Sequence, residues 1–222
     1  MTNNILLTGA NRGIGLALAQ GYCNRGDYVY GVCRQSSVEL SSLVNVSIIE
    51  GIDITDELDI STLKASLNNV HLDIVINNAG ILNDEALGNI DYQSIERQYA
   101  VNALGPLRVT EALLDNLNSG SKIALVTSRM GSIADNSSGG RYGYRMSKAA
   151  LNAAGMSLAQ DLKSEQISVA ILHPGYVQTD MTNHTGIINS DEAARGLMQR
   201  IDELSLDNSG SFWHSNGELL PW

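Results

Sequence analysis

A tyrosine and a lysine four residues apart have the types and spacing of a proton-handling pair. Tyr144 and Lys148 lie in a segment with helical periodicity, so a helix would place both side chains on one face, one turn apart. An unperturbed phenol has a pKa of about 10, so roughly one in a thousand is ionised at neutral pH. A fixed ammonium group favours the phenolate and lowers that pKa. Such a pair could protonate a carbonyl oxygen in reduction or deprotonate an alcohol in oxidation.

Taken alone, this spacing is more typical of two surface neighbours, so the interpretation depends on the elements that surround the pair. Short apolar runs alternate with longer segments of helical periodicity along the chain. Runs rich in Val, Ile and Leu indicate parallel strands that are covered by helices on both faces. The predicted strands are 5–8, 28–33, 46–49, 72–76, 122–127 and 167–172, and the predicted helices are about 13–25, 56–68, 91–117, 142–164 and 190–203.

This alternation predicts an α/β fold, a doubly wound parallel sheet with helices on both faces. Right-handed crossovers between consecutive strands produce that arrangement. The segment 210–222 is expected to add a last strand and a short tail, which gives about seven strands. A chain of 222 residues suits one hydrophobic core, and no shift in composition marks a second domain. We therefore expect a single domain over residues 1–222.

Composition excludes several classes of protein. A formal net charge of -10 argues against a general nucleic-acid or anionic-membrane partner. The N-terminal segment has no basic flank or small-residue cleavage site, and no stretch approaches the ~20 apolar residues of a membrane span. Two cysteines, Cys23 and Cys33, and four scattered histidines suggest neither a disulfide framework nor a metal site. We expect a cytoplasmic protein with reduced thiols.

A glycine-rich turn, TGANRGIG, follows the first predicted strand. Gly9 permits a tight turn, Gly13 lets the backbone approach a pyrophosphate, and Gly15 allows the helix to pack closely on the strand. The N-terminus of that helix carries a partial positive charge suited to phosphates. Glycines at this GxxxGxG spacing can mark only a strand-to-helix turn. Their place near the start of the chain favours a dinucleotide site.

The end of the second predicted strand carries no acidic residue, which NAD-preferring folds use to hold the ribose hydroxyls. Arg34 occupies this position instead. Together with Arg12 in the glycine turn, it could make forked contacts with a 2'-phosphate. The alternative is a pair of solvated arginines, but both fall at the predicted carboxyl edge of the sheet. The sequence therefore predicts that NADP(H) is preferred over NAD(H).

These features together resemble the short-chain dehydrogenase/reductase family over nearly the whole chain. The resemblance extends to the segments 128–133 and 217–222, which are most similar to C-factor and sniffer-type carbonyl reductases. In chain order, the motifs are the turn from Thr8 to Gly15, Asp53, Asn77-Asn78-Ala79-Gly80, Asn102, Ser128, Tyr144 with Lys148, and Pro174 to Thr179.

The resemblance implies roles for four catalytic residues. Ser128 would hydrogen-bond the substrate oxygen, and Tyr144 would exchange the proton. Lys148 would lower the pKa of the tyrosine and hold the nicotinamide ribose. Asn102 would position a water that links Lys148 to solvent.

Two of these residues have a structural alternative. Ser128 could be a strand-end hydroxyl that caps local backbone, and Thr127 and Ser132 are nearby rivals for its role. Asn102 could be a helix-bending polar residue that is satisfied internally, which is compatible with a catalytic role.

The resemblance also implies cofactor contacts. Asp53 would accept a hydrogen bond from the adenine amino group, although it could instead cap the helix that follows. Asn78 and Gly80 would line the adenosine side, and Val177 and Thr179 would hold the nicotinamide carboxamide. The residues implied for the cofactor are Gly9, Asn11, Arg12, Gly13, Ile14, Gly15, Arg34, Asp53, Ile54, Asn78, Ala79, Gly80, Tyr144, Lys148, Pro174, Gly175, Val177 and Thr179.

The segment after the sixth predicted strand is short compared with the family pattern. About ten residues separate Thr179 from Ser190, which is too few for a large lid and predicts an open pocket. His173 is expected to be a packed or capping residue, because Tyr144 already fills the acid–base role. The obvious recognition groups in the short segment, unless they are ordinary surface and packing residues, are Met181, His184, Ile187 and Ile188.

The sequence thus predicts an NADPH-dependent oxidoreductase that acts on a small carbonyl or alcohol substrate. The alternative is an NADP-binding signalling or regulatory protein with little turnover, because C-factor is associated with cell–cell developmental signalling. A sugar-nucleotide epimerase fits less well, since its glycine pattern and larger C-terminal region are absent. Small residues from Ala149 to Gly155 permit close backbone approach, although this surface could simply pack on the sheet. The resemblance implies a possible homodimer through this helix and the one that contains Asn102.

Overall fold

The apolar runs of the sequence form one parallel sheet in the computed structural model, which describes residues 2–222. Within that range the sheet has seven strands in the order β3-β2-β1-β4-β5-β6-β7, and neighbouring strands are parallel. The strands are β1 Asn4–Thr8, β2 Tyr28–Cys33, β3 Val46–Glu50, β4 Leu72–Asn77, β5 Leu117–Val126, β6 Ser168–His173 and β7 Phe212–His214. The predicted doubly wound α/β fold is confirmed.

The helices are α1 Gly13–Arg25, α2 Val38–Ser41, α3 Glu57–Ser66, α4 Tyr92–Tyr99, α5 Gly105–Ala112, α6 Tyr142–Asp161 and α7 Ser190–Asp202. The single helix predicted over 91–117 ends earlier, at Ala112, and contains a π-helical turn, and the short α2 was not predicted. A π-helical turn, Ala100–Leu104, separates α4 from α5, and β5 already begins at Leu117. Pro106 in the first turn of α5 has no N–H for the regular ladder, and the N–H of Gly105 bonds to the carbonyl of Ala100 instead.

Side chains alternate between two apolar layers, one on each face of the sheet. In β1, Ile5 and Leu7 point to the layer under α1 and α7, whereas Leu6 points to the layer under α3, α5 and α6. Each fully buried aliphatic side chain contributes roughly 1.5–3 kcal/mol through removal from water. Helix residues that complete the two layers include Leu18 and Leu197 on the first face and Leu63, Val109 and Leu151 on the second.

The strand order reverses between β1 and β4, the two central neighbours. Chains that leave the carboxyl ends of these strands diverge to opposite faces and open a crevice, the usual ligand position in such sheets. No helix within residues 2–222 combines the length and apolar character needed to cross a lipid bilayer.

Candidate active site

Tyr144 and Lys148 lie on one face of α6, in its first two turns. Both are buried, with 8% and 4% of their surfaces exposed. The Lys148 Nζ is 5.8 Å from the centroid of the Tyr144 ring. It donates a hydrogen bond of 2.9 Å to the carbonyl oxygen of Val126, the last residue of β5. The sheet edge therefore fixes the ammonium group beneath the phenol.

Burial dominates the ionisation of this pair. It raises the pKa of Tyr144, while hydrogen bonding to Ser128 and the charge of Arg141 act in the opposite direction. The lowered tyrosine pKa expected from the sequence is therefore wrong for this structure, because desolvation outweighs the hydrogen bond to Ser128 and the charge of Arg141. Burial also lowers the pKa of Lys148 to about 8, which leaves the amine mainly protonated at neutral pH.

Ser128 provides the side-chain hydroxyl next to the Tyr144 phenol. It is buried at the end of β5, and the phenol of Tyr144 interacts with it. The two rivals are engaged elsewhere. Thr127 donates its hydroxyl proton to the Asn152 side chain at 2.7 Å, and the Ser132 hydroxyl accepts from a main-chain N–H of its own loop at 3.1 Å. The Ser128 hydroxyl also accepts from the Met130 N–H at 3.1 Å, so the local capping role considered for it is present as well. Its contact with the Tyr144 phenol distinguishes it from Thr127 and Ser132.

Asn102 lies in the π-helical turn and is fully buried. Its Oδ1 accepts from the Ile81 N–H at 2.8 Å, and its Nδ2 donates to the Ile81 carbonyl at 2.8 Å. The same Nδ2 donates to the Ser147 hydroxyl at 3.0 Å, which in turn donates to the carbonyl of Tyr144 at 2.9 Å. The amide is satisfied outside its own helix and joins the loop after β4 to α6.

Gly80 lies between the Asn102 amide and the Lys148 amine. A Cβ at Gly80 would be 3.2 Å from Asn102 Oδ1 and 3.6 Å from Lys148 Nζ. The absence of a side chain at this position keeps the space between the two groups narrow but open.

The glycine turn adopts a backbone that ordinary residues rarely adopt. Gly9 and Gly13 have φ values of 68° and 53°, and a Cβ on Gly15 would be 2.0 Å from the Gly9 carbonyl oxygen. α1 begins at Gly13, its N-cap residue Arg12 supplies no side-chain cap, and its described first turn holds no acidic residue. This helix start, which has no side-chain cap and is flanked by glycines, fits a dinucleotide pyrophosphate.

Thr8 and Asn78 hold the glycine turn against β4. The Asn78 side chain donates to the carbonyls of Thr8 at 3.0 Å and Gly9 at 3.3 Å. The Thr8 hydroxyl accepts from the N–H groups of Asn78 at 3.0 Å and Ala79 at 3.1 Å. Asn78 therefore shapes the turn, and Thr8 is a supporting residue that the sequence argument missed.

Three other predicted cofactor residues in the N-terminal part of the chain, Asn11, Ile14 and Ile54, also support the glycine turn or the core. The Asn11 side chain donates to the Gln35 carbonyl at 2.9 Å, which ties the turn to the segment after β2. Ile14 packs on the apolar layer under α1, and Ile54 is buried where a Cβ on Gly105 would be 2.6 Å away.

Asp53 lies beside Arg34 at the carboxyl edge of β2 and β3. Its carboxylate accepts from the Thr55 N–H at 2.9 Å and from the Thr55 hydroxyl at 2.7 Å. Burial raises the pKa of Asp53, but these bonds and the charges of Arg34 and Arg97 outweigh it, so the pKa is lowered. The cap of α3 is Asp56, so the capping role considered for Asp53 does not apply.

The segment after β6 folds back over the glycine turn. A Cβ on Gly13 would be 3.4 Å from the Thr179 side chain, and Arg12 pairs with Asp180 at 3.1 Å. Val177 is buried and forms an isolated parallel bridge with Ile188. The predicted cofactor residue Thr179 therefore lies next to the turn, whereas Val177 pairs with Ile188, and Pro174 and Gly175 directly follow β6.

Among the predicted recognition groups, Met181 and Ile187 are exposed and His184 pairs with Asp180. Ile188 is a packing residue, since a Cβ on Gly175 would be 2.9 Å from its side chain.

His173 is packed. Its ring meets that of His214 edge to face, with centroids 4.8 Å apart. Burial lowers the pKa of His173 to about 3, with smaller contributions from the charges of His214 and Arg129. The His173 ring is therefore neutral at pH 7 and has a packing role, as the sequence predicts.

A cavity of about 450 Å³ opens beside the N-terminus of α6, between the loops after β4 and β5. Glu85, Met130 and Arg141 contribute to its wall. A larger cavity of about 700 Å³ lies around Lys64 and His71 and includes none of the predicted site residues. The smaller cavity is likewise lined by none of the predicted site residues, but its wall includes Arg141, the N-cap of the helix that carries Tyr144. We assign it to the site on that ground, and its buried Glu85 carried no signal in the sequence.

Comparisons with known proteins agree with this geometry. A family model described as short chain dehydrogenase matches residues 3–187. The 1-hydroxy-2-glutathionyl-2-methyl-3-butene dehydrogenase of Rhodococcus sp. (strain AD45) is 39% identical over 226 residues, covering 99% of this chain and 100% of that protein. The C-signal of Myxococcus xanthus is 47% identical over 154 residues, covering 68% of this chain and 93% of C-signal.

Two solved structures superpose over the whole chain. The NADPH-bound carbonyl reductase from chicken fatty liver has a TM-score of 0.91 at 29% identity, covering 100% of this chain and 99% of that one. The carbonyl reductase Sniffer of D. melanogaster has a TM-score of 0.90 at 28% identity, covering 100% of both chains. The chain belongs to the short-chain dehydrogenase family and is an NAD(P)-dependent oxidoreductase.

Proposed function

We propose that this protein is an NADPH-dependent carbonyl reductase, able to work in reverse on the alcohol, in which Tyr144 is the general acid and base. The observation that carries the proposal is the buried pairing of Tyr144 with Lys148 on α6, with Ser128 at hand and the glycine turn on the same sheet edge. When bound, the nicotinamide cofactor supplies the two-electron reduction of the carbonyl carbon, or its reverse.

The chain's own residues manage the proton and the oxygen. Ser128 donates a hydrogen bond to the substrate oxygen, which holds it beside the phenol. Tyr144 delivers its proton to that oxygen in reduction and takes it back in oxidation. Lys148 stabilises the phenolate that remains, and its protonated amine also binds the nicotinamide ribose. Asn102, anchored on Ile81, positions a water that leads from Lys148 toward solvent.

The cofactor lies along the carboxyl edge of the sheet. Its pyrophosphate binds at the start of α1 over Gly9, Gly13 and Gly15. Asp53 binds the adenine side. On the nicotinamide side, the carboxamide is held by Val177 and Thr179. The contacts are completed by Asn11, Ile14, Ile54, Asn78, Ala79, Gly80, Pro174 and Gly175.

NADPH is preferred over NADH because the part of the site that binds the adenosine end of the cofactor carries cations. Arg34 and Arg12 pair with the 2'-phosphate as forked donors. No acidic residue ends β2 to compete with that phosphate. Two similar structures, the carbonyl reductase from chicken fatty liver and a short-chain dehydrogenase/reductase from Burkholderia multivorans, hold NADPH and NADP, which also supports this choice.

The substrate is a small carbonyl compound or the corresponding alcohol. The open cavity beside α6 supports a compound larger than a simple aldehyde. The Rhodococcus relative is named for an alcohol that carries a glutathionyl group, so bulky alcohols and ketones belong in the first panel tested.

A second candidate is an NADP-binding signalling protein with little turnover. The 47% identity with the C-signal of Myxococcus xanthus favours it. The buried set of Ser128, Tyr144 and Lys148 favours turnover, because a protein that only binds the cofactor has no need of a proton donor beneath a substrate cavity.

The test follows NADPH absorbance with a panel of aliphatic, aromatic and quinone carbonyls, with NADH in parallel. The Tyr144→Phe variant should lose about 10²- to 10⁴-fold in kcat and keep its NADPH affinity, because only the proton donor is removed. Tyr142→Phe, on the same helix, is the control and should stay active. An active Tyr144→Phe variant would refute the role of Tyr144. Binding of NADPH without turnover in the wild type would favour the signalling candidate.

A further inference from the structure

A buried carboxylate joins the loop after β4 to the first turn of α6. Glu85 is only 5% exposed. Its Oε2 accepts from the Gly143 N–H at 3.1 Å, and its Oε1 accepts from the Ser94 hydroxyl at 3.1 Å and from the Gln98 side-chain amide. Its main-chain carbonyl accepts from the Arg141 N–H at 2.9 Å. Two separate parts of the chain, α4 and the start of α6, thus converge on this residue.

The first turn of α6 depends on this contact. The N-cap residue Arg141 has a φ of 50° and supplies no side-chain cap of its own. The first N–H groups of a helix need partners from outside, and a carboxylate at this end also complements the helix dipole. Glu85 provides both through Gly143, the residue immediately before Tyr144.

The packing around Gly143 leaves no space for a side chain at this position. A Cβ there would be 2.6 Å from Gln98 Nε2, 3.0 Å from Glu85 Oε1 and 3.1 Å from Ile95 Cα. Gln98 is fully buried and its Oε1 accepts from the Asn83 N–H at 3.0 Å. The Glu85 carboxylate, α4 and α6 therefore pack closely together, and this contact fixes the position of the first turn of α6 relative to α4.

We propose that Glu85 is a positioning residue for Tyr144: by holding Gly143, it sets the phenol against Ser128. The proposal rests on the proposed function, in which that phenol exchanges the proton. The other side of Tyr144 is held by Ser147, whose hydroxyl donates to the Tyr144 carbonyl at 2.9 Å. Glu85 supplies the matching restraint on the N-terminal side. A small displacement at this point costs rate, because proton transfer depends on placement within about 1 Å.

The test compares Glu85→Ala and Glu85→Gln with Asp56→Ala in the full-length protein. Asp56 is the matched control because its carboxylate caps α3, accepting from Leu58 and Asp59 N–H groups, away from Tyr144. Glu85→Ala should lower kcat by about 10- to 100-fold, while the NADPH dissociation constant changes by less than about twofold. Glu85→Gln retains an acceptor for Gly143 and should recover part of kcat. Asp56→Ala should lose stability and keep kcat.

A readout without turnover separates this proposal from the proposed function. Near-ultraviolet titration, taken as the difference from a Tyr144→Phe partner in each background, follows the Tyr144 phenol alone. Loss of the Ser128 contact in Glu85→Ala should raise its pKa, and hydrogen exchange should become faster in the 142–147 segment. An unchanged phenol titration, or a kcat equal to that of Asp56→Ala, would overturn the role of Glu85. A wild type without turnover would refute only the proposed function, since the titration would still decide on Glu85.

Discussion

The guanidinium of Arg12 lies 3.1 Å from the carboxylate of Asp180 and so joins the glycine turn to the segment after β6. Both side chains are mostly exposed, 65% and 63%. An exposed pair of this kind is worth about 0.2–1 kcal/mol, so it exchanges readily for another partner. Arg12 is one of the two cations proposed for the 2'-phosphate. If Arg12 binds the 2'-phosphate as proposed, we expect Asp180 to compete with the cofactor for Arg12.

Replacing Asp180 by Asn should tighten the binding of NADPH by about 1.4- to 5-fold, the equivalent of the lost ion pair. NADH affinity should not change, because NADH has no 2'-phosphate. Titration of protein fluorescence with each nucleotide measures both constants. Glu203→Gln, which removes the exposed partner of Arg200, is the control. Equal tightening of both nucleotides would contradict the competition.

Replacing Arg34 by Asp should raise the Michaelis constant for NADPH by on the order of tenfold or more, since a charge-assisted hydrogen bond becomes a repulsion. The constant for NADH should change far less, and a carboxylate at this position could bind its ribose hydroxyls. Initial rates with each nucleotide at saturating substrate check the ratio. Equal effects on both nucleotides would count against the assignment of Arg34.

The charge of Arg141 is a further influence on the pKa of the Tyr144 phenol. It lowers the pKa of Tyr144 against the larger effect of burial, and its guanidinium is held 2.5 Å from the Asp84 carboxylate. Arg141→Gln should therefore raise the pKa of Tyr144. In alcohol oxidation, where the phenolate is the base, the rising limb of the kcat profile should move to higher pH. Arg145→Gln, one turn along α6, is the control, and identical profiles for both variants would exclude a specific effect of Arg141.

Lys148 should make the stability of the cofactor-free protein depend on pH. Burial lowers its pKa in the folded state to about 8, from 10.5. Between these values the unfolded chain binds a proton that the folded chain has released, so the free energy of unfolding rises with pH across this window. Below pH 8 the full cost of the buried charge is present, on the order of 3 kcal/mol.

Lys148→Met removes that titration. Its free energy of unfolding should therefore lack the rise between pH 8 and 10.5 that the wild type shows. Denaturant unfolding at several pH values gives both curves, with the exposed Lys163→Met as the control. Parallel curves for wild type and Lys148→Met would mean that the amine is not desolvated as described.

Local patterns of the sequence were sufficient for the sheet, the glycine turn and the placement of Tyr144 and Lys148. These features depend on the spacing of apolar residues, every second residue in a strand and about every 3.6 residues in a helix, and on contacts between residues close together in the chain. The break before α5 also had a local signal in Pro106, which the helical periodicity around it obscured.

Other features depend on contacts between distant segments. The pKa of Tyr144 is raised because the folded chain buries it, and no spacing of residues measures burial. Two further contacts likewise form only when separate strands and helices meet. The Asn78 side chain donates to Thr8 and Gly9, and the Gly143 N–H donates to the Glu85 carboxylate.

The π-helical turn at Ala100–Leu104 has a consequence for how the chain tolerates length changes. The turn holds one residue more than a regular helix would, and Asn102 is within it. Deleting a residue there would let the backbone return to regular winding and rotate one side of the junction by about 100° against the other. Either the amide of Asn102 would leave Ile81, or α5 would swing its apolar stripe off the sheet. A deletion in an exposed loop would cause no comparable rotation, so we expect this turn to tolerate the loss of a residue less well than the loops do.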